Sequence, residues 1–237
     1  MAHAQCRSRR PHQRSSNFRG FTLVELLVAL AIMAMMAGLS WRGLDGMSRA
    51  HAQLQQRADS ILTLQAGLSQ WSADLDAMVQ LPKTPALDWD GRALRITRRS
   101  TVSPGAGLLV VAWARRNIDG TGQWLRWQSP PLFSRGALQT AWLQAAQWAQ
   151  NPGEADKQFE VRVAALEQWQ VFYFRADAWT NPLSSDAQTT TKGDKPAAPE
   201  VTLPDGVRLV LTLPANDAIG GILTHDWVRL TLAGAKS

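Results

Sequence analysis

The sequence is short of the side chains that do most covalent and metal chemistry. Its single cysteine is Cys6, so no disulfide can close within the chain and no cysteine-based metal site can form. A chain that lost its first residues would carry no thiol, which suits an oxidising compartment. Of four histidines, His3 and His12 lie among the first twenty residues. His51 and His225 remain, far apart in sequence, which speaks against a histidine metal site or a histidine-dependent triad. Gly-x-Ser-x-Gly, a phosphate-binding loop and a dinucleotide fingerprint are all missing. The expectation is a non-enzyme with no cofactor and no metal.

Basic charge is scarce once it is counted by position. The 237 residues carry a net +6. Arg7, Arg9, Arg10, Arg14 and Arg19 stand in residues 1–20 with no acid beside them, and the rest counts 20 basic against 19 acidic residues. The basicity therefore belongs to a short tail and not to a domain face, so nucleic acid is not an expected partner. A local patch from Arg95, Arg98, Arg99, Arg115 and Arg116 could still touch a phosphate backbone; the plainer reading is solvated charge at strand ends. A hydrophobic fraction of 45% excludes both a polytopic membrane protein and a largely disordered chain.

One long apolar run is present. Residues 21–41 read FTLVELLVALAIMAMMAGLSW and contain a single ionisable side chain, Glu25. At ~1.5 Å per residue such a helix is long enough to cross a bilayer core. The arginines before it should stay cytoplasmic, leaving the C-terminal bulk outside. The run exceeds an ordinary signal peptide's apolar region and has no well-placed Ala-x-Ala site beyond it. Cleavage before the run, between Gly20 and Phe21, is the alternative. Glu25 is costly inside a membrane. Either it lies near the interface and reaches water, or it needs a cation; cleavage after Gly20 would supply one, the new α-amine of Phe21 on a neighbouring subunit.

Beyond the run, Met47, Leu54, Ile61, Leu68 and Leu75 recur every seven residues, and Leu64, Leu68, Trp71, Leu75 and Met78 form a second row. This predicts an amphipathic helix with its stripe packed on the protein's own sheet, stopped by Pro82 and Pro85. On it, Asp74 and Asp76 point in different directions and read as solvated charge. Period-two patterning then predicts strands at 93–98, 108–115, 123–128, 159–164, 168–175, 207–213 and 227–232. Asp90-Gly91 and Asp119-Gly120 mark hairpin turns. Asp88-Trp89-Asp90-Gly91 echoes the start of a calcium loop without its later ligands, so a turn is the better reading. Residues 136–150 read as a short helix or a long loop, and the polar stretch 184–200 as an exposed loop or disordered insertion. One long helix followed by short strands predicts an α+β fold with an antiparallel sheet. Eleven tryptophans stand against one tyrosine. They suit a core or half-buried sheet, with a few left for a stacking or docking surface.

Gly20-Phe21-Thr22-Leu23-Val24-Glu25 and the apolar residues after it resemble the class III signal of type IV pilins and type II secretion pseudopilins. The resemblance implies cleavage after Gly20 by a prepilin peptidase, N-methylation of Phe21 and a role for Glu25 in assembly. The chain lacks the C-terminal cysteine pair usual in major pilins. Trp41-Arg42-Gly43-Leu44, Leu68 to Leu75 with Asp74, Val110-Val111-Ala112-Trp113-Ala114 and Leu125-Arg126-Trp127 before Pro130-Pro131-Leu132 are similar to the J-type minor pseudopilins of type II secretion. So are Phe172 to Phe174 with Trp179, and Leu203-Pro204-Asp205-Gly206-Val207-Arg208-Leu209. Residues 136–158 and 184–200 depart from that pattern.

This second resemblance implies a pilin-like α+β chain. Its expected parts are a leader (1–20), a membrane or filament-core helix (21–41), an amphipathic continuation (42–81) and a β-rich periplasmic domain (85–237). It also implies a single-pass inner-membrane protein whose partners are I- and K-type minor pseudopilins, the major pseudopilin and the prepilin peptidase. A minor type IV pilin that primes a pilus or a DNA-uptake filament is the other reading the signal allows.

Overall fold

In a computed structural model the protein is described over residues 20–102, 105–184, 203–215 and 219–230. Cys6, the arginine tail of the expected leader and nearly all of the 184–200 stretch lie outside these residues. The chain divides into two units that meet in the first helix, between Leu54 and Gln55.

Helix α1 runs Leu23–Asp76. In the N-terminal unit its apolar side chains are exposed all round, and Met47 and Leu54 of the seven-residue row are exposed with them. In the second unit one stripe is covered. Leu64, Gly67, Trp71, Asp74 and Leu75 are buried, and Leu68 and Met78 pack beside them. The packing stripe is thus the Leu64–Met78 row. The helix ends at Asp76, short of the expected Leu81 and of both prolines. The reason is a competing set of backbone bonds: Arg99 N donates to the Ala77 carbonyl (2.9 Å) and Val79 N to the Thr97 carbonyl (2.9 Å), which pulls 77–79 onto a sheet edge.

The sheet-forming part is all antiparallel, as expected. Strands β1 (Leu87–Trp89), β2 (Ala93–Arg99), β3 (Leu108–Ile118), β4 (Thr121–Gln128) and β5 (Glu160–Ala165) make a meander in the order β1-β2-β3-β4-β5. Strands β6 (Gln168–Arg175), β7 (Ala178–Thr180), β8 (Gly206–Leu213) and β9 (Gly221–Val228) make a second sheet, ordered β7-β6-β8-β9. The expected turns are present. Asp119 and Gly120 both have positive φ, 51° and 79°, the geometry a two-residue β3–β4 hairpin needs. The last strand differs from expectation: it is Gly221–Val228, not 227–232. Only Trp227 of β9 is buried, so this edge strand lacks the apolar alternation that would have marked it, and Gly220-Gly221 reads as a turn.

Residues 136–150 form a helix, not a loop: α2, Arg135–Gln150. Ser134 caps it by accepting from Ala137 N, 3.2 Å. Its buried face, Leu138, Ala141, Trp142, Ala145, Trp148 and Ala149, covers Ala93, Val110, Ala112, Ala114, Leu125 and Trp127 of the first sheet. The other face of that sheet, carrying Leu94, Ile96, Val111, Trp113 and Trp124, meets α1 and the inner face of the second sheet in a separate core. A short helix α3, Glu154–Lys157, leads into β5. The first sheet is therefore covered on both sides, which is why its central strand β3 opens on a continuous apolar run, Leu108 to Ala114.

Gly122 on β4 marks a close approach. A Cβ there would stand 2.1 Å from the Leu166 carbonyl oxygen and 2.6 Å from a terminal nitrogen of Arg115. Gly122→Ala should lower stability by about 1–3 kcal/mol through this overpacking. Thermal unfolding of the full chain in detergent, followed by tryptophan fluorescence, measures it; an unchanged midpoint would refute it.

Candidate functional site

Two places concentrate chemistry: the start of α1 and the junction of its last turn with the first sheet. At the start, Gly20, Phe21 and Thr22 precede the helix in irregular backbone, and Gly20 and Phe21 are exposed, Phe21 to 83%. A Cβ at Gly20 would meet nothing within 4 Å. Among the described residues nothing packs over Gly20 or Phe21.

Thr22 and Glu25 form a reciprocal cap on α1. Glu25 N donates to Thr22 Oγ1 (3.3 Å), while Thr22 N and Thr22 Oγ1 both donate to Glu25 Oε2 (3.0 Å each). This is a capping box, which satisfies two of the amide donors a helix start leaves open. The Thr-x-x-Glu spacing before an apolar run was readable in the sequence, and it adds a local partner to the two readings of Glu25. The helix that follows is long and apolar enough to cross a membrane, and none of its most apolar stretch is buried.

At the far end of α1, Asp74 is not the solvated helix charge expected. It is 0% exposed. Arg98 bonds its Oδ1; Arg126 donates to both oxygens at 2.8 Å; Trp113 Nε1 donates to Oδ2 at 2.9 Å, and Gln70 Nε2 to Oδ1 at 2.9 Å. An acid in the last turn of a helix faces the negative end of the helix dipole, and no basic residue stands in that turn. The sheet supplies the missing cations. Asp76 is also engaged, accepting from Trp227 Nε1 at 2.7 Å. The two carboxylates do diverge, one to each sheet.

The five arginines weighed as a patch are dispersed, and the solvated strand-end reading holds for Arg99 alone among them. Arg98 is consumed by Asp74, Arg95 pairs with Asp88 and lies over the Trp142 ring, and Arg116 pairs with Glu160 (2.5 Å) over Trp148. Only Arg99 of that set remains at a strand end as an exposed side chain without an ion pair, while Arg115 turns to the Leu166 carbonyl, 3.0 Å. Alternation along β2 and β3 sends neighbouring arginines to opposite faces. Asp90-Gly91 is a turn, as read, with Asp88 and Trp89 on β1: Asp90 Oδ1 accepts from Arg92 N (2.9 Å) and Ala93 N (2.8 Å). Among the described residues no three His, Cys, Asp or Glu come together to hold a metal.

His225, remote from other reactive groups in sequence, meets Ser72 across α1 and β9, Oγ to Nε2 2.9 Å. Among the described residues no carboxylate bonds its other ring nitrogen; the adjacent Asp226 is held by Arg208. The contact ties helix to strand and does not make a triad. The tryptophans of the second unit are core or half-buried; Trp41, 74% exposed, is the exception and lies in the N-terminal unit. The stacking-surface reading of the tryptophans is therefore replaced by packing. Trp142 and Trp148 fix α2 by donating to Thr97 Oγ1 (2.9 Å) and Glu160 Oε2 (2.7 Å).

Residues 15–41 match the prokaryotic N-terminal methylation motif. No curated protein matches the chain. The match covers the Gly20–Phe21 bond, the Thr22–Glu25 cap and the apolar helix up to Trp41. Together with an α+β domain carried on the same helix, it supports a structural, type IV pilin-like protein with a single N-terminal membrane anchor.

Proposed function

We propose that this protein is a minor pseudopilin of the J type, which joins I- and K-type subunits at the tip of the type II secretion pseudopilus and helps to start its assembly from the major pseudopilin. The observation that carries the reading is the methylation motif on an uncovered apolar helix: about 300–600 Å² is already a large exposed apolar patch for a soluble monomer, so this helix needs lipid or other subunits around it. In the proposed cycle the helix first anchors the chain in the inner membrane, with the globular unit in the periplasm. A prepilin peptidase cuts after Gly20 and Phe21 becomes the N-methylated N-terminus. Glu25 then meets the α-amine of a neighbouring subunit, exchanging the Thr22 hydrogen bonds for a charge-assisted pair in low dielectric.

Glu25→Ala and Glu25→Gln should both be cleaved and methylated, as mass spectrometry of the N-terminal peptide would read, and both should fail to support secretion. Thr22→Val separates the two uses of Glu25, because it removes the side-chain half of the cap and keeps the charge. It should cost about 1 kcal/mol of helix stability and leave secretion largely intact. A Thr22→Val defect equal to that of Glu25→Ala would reduce Glu25 to a capping residue. Co-purification of the detergent-solubilised full chain from its own cells tests the system itself. Pseudopilins as partners support the proposal, while pilus or DNA-uptake subunits would transfer the protein to a minor type IV pilin.

A further inference from the structure

At the end of the first sheet that carries the β3–β4 hairpin lies an open groove of about 880 Å³. The β1–β2 turn contributes Arg92, β3 contributes Arg115 and β5 contributes Arg162. Arg116 and Lys157 also line it, but their charges are taken by Glu160 and Glu154. Among the described residues Arg92, Arg115 and Arg162 have no ion-pair partner, so three guanidinium groups from three strands or turns converge on one groove uncompensated. Asp119 is its one carboxylate outside an ion pair. Arg115 is held in place: its Nε donates to the Leu166 carbonyl at 3.0 Å, and its terminal nitrogen occupies the space that Gly122 leaves by having no Cβ. A guanidinium fixed through Nε keeps its other donors for a ligand and loses little entropy on binding one.

We propose that this groove binds an acidic segment of a protein partner, with the partner's carboxylates taken by Arg92, Arg115 and Arg162. Charge complementarity selects an anion. The two wall carboxylates, Asp119 and Glu160, argue for a peptide over a nucleic acid. A phosphodiester chain carries charge at every step and would meet both, whereas a peptide sets its acids at chosen positions and can offer amide donors to Asp119. The side-chain amides of Asn117, Gln150 and Asn151 on the rim suit the same backbone. This site is independent of the filament reading.

The test uses the full chain in detergent and fluorescence anisotropy of a dye-labelled peptide of alternating glutamate and glycine. One double variant, Arg92→Glu with Arg162→Glu, reverses the groove. A second, Arg57→Glu with Arg135→Glu, removes the same charge from exposed positions elsewhere, and the N-terminal arginines are identical in both. The groove variant should bind the peptide at least about tenfold more weakly, and the control should change it less than about twofold. Equal losses in the two variants would mean attraction by net charge alone and would overturn the proposal, as would unchanged binding in the groove variant. Oligodeoxythymidylate of the same charge should bind more weakly than the peptide; tighter binding that the groove variant abolishes would give the groove to nucleic acid instead.

Discussion

Asp74→Ala should destabilise the globular unit by about 3–5 kcal/mol, the range for breaking a buried ion pair from one side. The cost does not come from losing a favourable contact in isolation. Arg98 is 4% exposed, and Arg126 has only 13% of its side chain in solvent, so the alanine variant leaves two guanidinium groups in the core without a counter-charge. It also strands the Trp113 indole N–H, which now donates to Asp74. At roughly 2–4 °C per kcal/mol for a chain of this size, the melting midpoint should fall by about 6–20 °C. Asp74→Asn keeps the shape and one acceptor but removes the charge, and should fall between the alanine variant and the parent. Thermal unfolding in detergent reads all three, and a loss below about 1 kcal/mol for Asp74→Ala would show that water reaches and solvates the two arginines.

The second large effect is expected at Trp71. Its ring is 0% exposed and touches Trp113 (centroids 5.5 Å apart) and Trp124 (6.0 Å) on the first sheet and Trp169 (6.3 Å) on the second. One side chain of α1 thus joins both sheets. Trp71→Ala should cost about 3–5 kcal/mol, as large aromatic truncations in cores do, because neither sheet can move into the cavity without leaving the other. Trp71→Phe should cost less. It keeps an aromatic edge for Trp113 and removes an indole N–H that has no hydrogen-bond partner among the described residues. Were both substitutions to cost the same, the volume filled at position 71 would not set the cost and the cavity argument would fail.

Much of the architecture was legible in the sequence. The apolar run, the amphipathic row from Leu64 to Met78 and the alternation of β8 are local patterns, and each is found where the sequence put it. The elements that were missed have physical reasons. Three-residue edge strands such as β1 and β7 carry no periodicity to detect. Strand β9 buries one residue, so its alternation is absent. Helix α2 was left open between helix and loop because its Ala, Gln and Trp become a face only once a sheet lies beneath it. At the N-terminal site the Gly20-Phe21-Thr22-Leu23-Val24-Glu25 string is a local pattern; the Thr-x-x-Glu cap within it was missed, although its spacing lies in neighbouring residues.

The distal chemistry was not legible. Arg98, Trp113 and Arg126 stand 24, 39 and 52 residues from Asp74, and no spacing rule connects them. Sequence alone determined that this chain has an apolar, charge-marked N-terminal helix and an antiparallel β-rich remainder, since helix and strand periods are properties of consecutive residues. Tertiary structure alone decided which charges are paired inside the fold and which are left without an ion pair. That depends on which face of which strand each arginine takes and on what lies across from it. Hence Arg98 and Arg116, each next to an arginine that looks the same, are neutralised within the fold, as is Arg95, while Arg92, Arg115 and Arg162 meet at one groove.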